Sequence, residues 1–139
     1  MYRFMDRPVT SLAPAEQILL WSMRSWVAAM AGQRCPCAAL GPSFERWRLA
    51  DLLGNFNVAM FLLNVEGAAP RVFCRENCAH VRDDEAALLV LFHAAADGDL
   101  RQTRRLAEQA VKPEAVTPFI AAIGEVADVL RRAPVPRPL

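Results

Sequence analysis

Apolar residues recur at three- and four-residue spacing along most of this chain, the pattern of amphipathic helices rather than strands. Leu19, Met23, Trp26, Val27 and Met30 make one such stripe. Their helix begins near Pro14, with Glu16 at the positive end of its dipole, and stops at Gly32. Trp21 points away from that stripe together with Gln17, Arg24 and Ala28, so it is either covered by another segment or open to a partner. A second, longer helix is predicted from Pro42 to Val65. Leu49, Leu52, Phe56, Met60 and Leu63 line one side of it and Trp47, Val58 and Phe61 the other. A helix apolar nearly all round belongs in the middle of a fold. Gly54 inside it costs roughly 1 kcal/mol relative to alanine, which points to close backbone packing or a bend.

Three further helices follow after a long connector and are separated from one another by short loops. Asp83, Asp84 and Glu85 start a third by capping its free amides, Leu88, Leu91, Phe92 and Ala95 form its inner stripe, and Gly98 ends it. Asp99 caps a fourth, Leu100 to Val111, with Thr103, Leu106, Ala107 and Ala110 inward. Thr117-Pro118 opens a fifth, on which Phe119, Ile123, Val126, Ala127 and Leu130 share a face. The expectation is an all-α fold: a compact bundle of about five helices with a long central helix and two irregular, cysteine-bearing connectors. Residues 1–13 read as an N-terminal arm, 14–133 as the helical domain and 134–139 as a Pro-rich tail.

Length and composition leave this picture in place. A chain of 139 residues, 54% hydrophobic and 22% charged, suits one core. Asn55, Asn57 and Asn64 interrupt the longest apolar stretch, so no membrane span is expected. The first residues contain no apolar run of the kind that precedes a cleavage site, so no export signal is expected either. A net charge of +1 lacks the positive field that attracts phosphate backbones, which argues against specific nucleic-acid binding. Fifteen of the sixteen basic residues are arginine, a bias of GC-rich bacterial genomes. A cytoplasmic, bacterial setting follows as an expectation, and with it reduced thiols or metal ligands rather than a disulfide framework.

Candidate chemistry is sparse. Cys35 and Cys37 flank a proline in one connector, Cys74 and Cys78 occupy the other, and His80 follows. If the connectors meet, four thiolates, or three with His80, complete a tetrahedral zinc site of structural type; otherwise the cysteines are small hydrophobes or a thiol couple. His93 reads as a partly buried histidine bonded to the backbone, and the carboxylates at 83–85 as caps. Arg101, Arg104 and Arg105 share one short helix and are either solvated or a contact for an acidic partner. No nucleophile–base–acid order, phosphate-cradling loop or metalloprotease motif is present, and an enzyme is the less expected outcome.

Two resemblances add to these readings. Leu91 to Leu100, continuing to Arg105-Leu106, resembles the opening of a single ankyrin repeat, but no second copy follows and such repeats are stable only by stacking. Leu12-Ala13-Pro14-Ala15-Glu16, Arg24-Ser25-Trp26, Cys78, Asp84-Glu85 and the Ala-Asp-Gly-Asp turn together resemble a family of small helical proteins from alphaproteobacteria. That resemblance implies a bacterial cytoplasmic setting and carries no activity, cofactor or catalytic residue. The leading expectation is a non-enzymatic interaction or regulatory protein that binds a protein partner or associates with itself, through an apolar helix face or the Trp21 side. A small zinc or thiol-redox protein is the alternative. A ligand pocket lined by Trp26, Phe56, Met60 and Phe92 is a third reading, against which stands the ordinary role of such stripes as core.

Overall fold

A computed structural model describes residues 4–133 and is all-α. Its helices are α1 (Pro14–Ala31), α2 (Pro36–Arg46), α3 (Leu53–Glu66), α4 (Asp83–Ala96), α5 (Leu100–Ala110) and α6 (Val116–Arg132). Among the described residues no strand forms. Two isolated bridges, Pro8 with His80 and Gly67 with Val111, are the only extended pairings.

α6 is the hub, packed against both α3 and α4, while α1 lies on α2 and α5 folds back on α4. The predicted stripe of α6 is its buried face, with Phe119, Ile123, Val126, Ala127 and Leu130 all in the core. Asp99 caps α5 as expected, its carboxylate accepting from Gln102 N at 3.0 Å. The α4–α5 hairpin turns at Gly98, whose φ of +74° is a conformation that favours glycine. The long central helix predicted from Pro42 to Val65 is two helices. Pro36, not Pro42, begins the first, and Pro42 lies inside it. Arg48 then adopts φ +59° and Ala50–Leu52 form a 3-10 turn before α3 starts. The connector read as irregular from Gly32 to Ser43 is therefore mostly α2.

The N-terminal segment from Phe4 is no free arm. Phe4 and Leu12 are in the core, and extended backbone bonds tie the segment to the loop before α4: Asp6 N to Val81 O, Val81 N to Arg7 O and Val9 N to Ala79 O. The Pro-rich tail at 134–139 lies outside the described residues. Among the described residues no helix is long and apolar enough to cross a membrane.

Candidate functional site

Sixteen residues, 67–82, connect α3 to α4 without secondary structure of their own beyond turns and isolated bridges. Buried polar backbone must find partners, and this loop finds them on three sides. At its start Ala68 N donates to Ala110 O and Lys112 N to Glu66 O, which fastens the loop to the end of α5. Gly67 sits so close to the last turn of α3 that a Cβ there would collide with the Leu63 carbonyl oxygen. In its middle the loop is held by the first turn of α4, where Val72 N donates to Asp84 Oδ2 at 2.6 Å and Cys74 N to Glu85 Oε2 at 2.9 Å.

The strongest tie is a buried ion pair. Arg24, 2% exposed on α1, donates from Nε to Glu85 Oε2 at 2.8 Å and from Nη2 to Glu85 Oε1 at 2.9 Å, a bidentate pairing. Its Nη1 donates to Cys78 O and its Nη2 also to His80 O, both at 2.8 Å. Glu85, fully buried, accepts from Arg82 N at 2.8 Å as well, so it caps α4 while it pairs with α1. Burial by itself pushes the Glu85 carboxyl up; the Arg24 hydrogen bonds, the Arg82 and Cys74 amides and the Arg24 charge outweigh it and hold the carboxyl below its ordinary value.

Cys74 and Cys78 are joined in a disulfide, with Cα atoms 6.0 Å apart across one turn of the loop. This departs from the expectation of four reduced thiols or metal ligands. A tight turn, with Cys78 N donating to Arg75 O, brings the two side chains to bonding distance. Cys35 and Cys37 are free thiols at the N terminus of α2, and His80 is exposed. Among the described residues no group of three or more His, Cys, Asp or Glu side chains is close enough to hold a metal ion.

Trp21, read as either covered by another segment or open to a partner, is half-buried, its ring edge-on at 5.2 Å to Trp47 at the end of α2. Arg101, Arg104 and Arg105 are exposed on α5, where Arg105 bonds Gln102. His93, read as partly buried, is half-buried, and its Nε2 lies 3.2 Å from Oδ2 of Asp97, one helical turn on.

Two surface features were only partly legible in the sequence, which placed Val58 and Phe61 on one side of the second helix and Trp26 and Met60 in a pocket lining. The outer face of α3 presents Val58, Phe61 and Val65, which are 45%, 52% and 50% exposed. Gly54 is exposed one turn before them, and a Cβ there would meet nothing within 4 Å. The second feature is a cleft of about 510 Å³ between α1, α3 and the start of the loop. Trp26 and Met60, two of the four residues read as a pocket lining, border it; Phe56 and Phe92 do not, and both are buried in the core. Trp26 Nε1 is fixed by a 2.9 Å bond to Asn57 Oδ1.

No protein-family model matches the chain, and neither a curated protein nor a solved structure matches it significantly.

Proposed function

We propose that the protein is a helical interaction module that pairs with a second copy of itself through the outer face of α3. The observation that carries this is the spacing of Gly54, Val58, Phe61 and Val65, which recur every four, three and four residues in a straight seam about 16 Å long. Exposed apolar residues scattered singly need no explanation, but an aligned seam does. Glu66, at the C-terminal end, is the only ionisable residue of α3, so the face has no charge with which to select a charged partner. A two-fold contact satisfies it, each copy burying the same stripe against the other. Gly54 lets the facing helix approach closely. One helix face is small for an interface, so the dimer is expected to form and dissociate with concentration.

Sedimentation equilibrium over a range of protein concentrations tests the proposal. The wild type should move from monomer to dimer mass, and Phe61→Glu should remain monomeric with unchanged circular dichroism. A wild-type protein that is monomeric at every concentration, or a Phe61→Glu variant that dimerises equally well, overturns it.

A second reading, thiol–disulfide exchange, is favoured by the Cys74–Cys78 pair itself. In the cytoplasmic setting expected from sequence, protein disulfides are usually redox-active ones. A dithiol reductant would give up two electrons and two protons, becoming a disulfide as the Cys74–Cys78 bond breaks to two thiols. Equilibration in glutathione buffers with quantitative alkylation tests this. A midpoint near the cytosolic glutathione poise supports exchange, and one below about −300 mV marks the bond as structural.

A further inference from the structure

The cleft between α1, α3 and the loop has a volume, about 510 Å³, typical of small-molecule sites. Trp26, Met60, Leu63 and Phe73 give it apolar walls, and Arg71 is the one charged residue on them. The Arg71 guanidinium is poorly served by the protein. Nη2 donates to Ala110 O at 3.2 Å, whereas Nε is sealed from solvent with no acceptor. Asp84 is the acid whose charge acts on it, but no ion pair forms between them, and Asp84 Oδ2 is taken by the Val72 amide. Burial accordingly lowers the Arg71 pKa from its ordinary value, and Asp84 only partly restores it. Arg71 is half-buried as a residue, but a sealed N–H of a guanidinium without an acceptor is rare in folded proteins and marks a place where a further group belongs.

We propose that this cleft binds an amphipathic organic anion, a medium-chain carboxylate whose apolar body lies against Trp26, Met60 and Phe73 and whose carboxylate supplies the acceptor Arg71 lacks. Charge and shape select together. A neutral amphiphile of the same length fills the cleft but leaves Arg71 as it was, and a cationic one adds repulsion. Arg71 borders the cleft and is held there by one bond, from Nη2 to Ala110 O, so its guanidinium is the group that a carboxylate in the cleft would meet. The inference is independent of self-association, since the seam on α3 faces outward and the cleft lies on that helix's inner flank.

Isothermal titration calorimetry of the full chain with decanoate, decanol and decyltrimethylammonium, each below its micellar concentration, tests it. Decanoate should bind at least about tenfold more tightly than decanol, a gap of about 1.4 kcal/mol, and the cation should bind least. Arg71→Met should bring decanoate to the affinity of decanol, while Arg71→Lys, which keeps the charge, should retain part of the gap. Arg71 also borders a neighbouring cleft beside Leu88, Leu106 and Arg105, so Arg105→Met serves as a control and should leave decanoate binding unchanged. Three results overturn the proposal: no decanoate binding by folded wild type, equal affinity for all three amphiphiles, or a loss with Arg105→Met equal to that with Arg71→Met. If Arg71→Met fails to fold, the wild-type ligand series and Arg71→Lys decide the matter.

Discussion

Arg24, buried on α1, and Arg71, half-buried within the loop that Arg24 clamps, are treated by the protein in opposite ways. Arg24 has every guanidinium nitrogen engaged, two by a carboxylate and the rest by loop carbonyls. Arg71 has one bond and an orphaned Nε. The difference teaches where this molecule is built to hold and where it is left open. A buried ion pair is no guarantee of net stability, because desolvation cancels most of the attraction, but it punishes the loss of either partner. The Arg24–Glu85 pair therefore acts as a condition on the fold: α1, the loop and the start of α4 are assembled together or not at all.

The largest expected effect follows from breaking that condition. Arg24→Met leaves the Glu85 carboxylate buried and uncompensated, and urea unfolding should show a loss of about 3–5 kcal/mol. Adding Glu85→Leu should recover much of the loss, because an apolar pair no longer carries a stranded charge. A double variant as unstable as the single one would mean that the loop carbonyls, not the ion pair, set the requirement.

Acid should act on the same pair more gently. Glu85 has a folded pKa held below its ordinary value of 4.5, so its contribution is fully present above that value and is lost as pH falls through the lower folded value. Stability against urea should be flat near neutrality and decline below about pH 4.5. Glu85→Gln should start less stable, by about 1.5–3 kcal/mol for a lost charged hydrogen bond, and should show a shallower acid limb. An identical acid limb in both proteins would assign the decline to other carboxylates.

How much of this was legible beforehand depended on whether a residue's partner lay nearby in the chain. The stripes of α4, α5 and α6 were readable because local periodicity reports which face is buried, that of α1 only in part, since Met30 is exposed and Leu20, Ser22 and Arg24 are buried outside it, and Asp99 was readable as a cap because its partner is three residues on. The break between α2 and α3 was hidden. Leu49 and Leu52 continue the helical spacing through it and are buried, yet they belong to a left-handed turn and a 3-10 turn. Arg24 lay on the side of α1 opposite the apolar stripe, and nothing local marks it as buried, since Glu85 is 61 residues away. Glu85 was recognised as a cap, which it is, and that sufficient local role concealed the distant one. An apolar α3 was readable, but which of its faces stayed uncovered was decided by where α6 and the loop came to rest.

Reducing the disulfide should matter less than breaking the clamp. Cys74 and Cys78 close a very short loop, for which chain entropy gives about 2 kcal/mol, and the Arg24 and Glu85 bonds to that segment persist without it. A Cys74→Ser/Cys78→Ser variant should therefore fold, with its unfolding midpoint lowered and its resistance to proteolysis at 74–80 reduced. If it lost as much stability as Arg24→Met, the disulfide rather than the ion pair would be what fixes the loop.

The smallest effect is expected where the comparison began. Arg71→Met exchanges an unsatisfied buried donor for an apolar side chain of similar reach, losing one 3.2 Å bond to Ala110 and removing a desolvated charge. The two terms oppose each other, and the urea stability should lie within about 0.5 kcal/mol of wild type or slightly above it. Natural folds rarely keep a charge whose removal costs them nothing, so near-neutrality in the free protein, combined with loss of decanoate binding, would place the value of Arg71 in the bound state. A loss approaching that of Arg24→Met would erase the contrast and make Arg71 a second structural anchor of the loop.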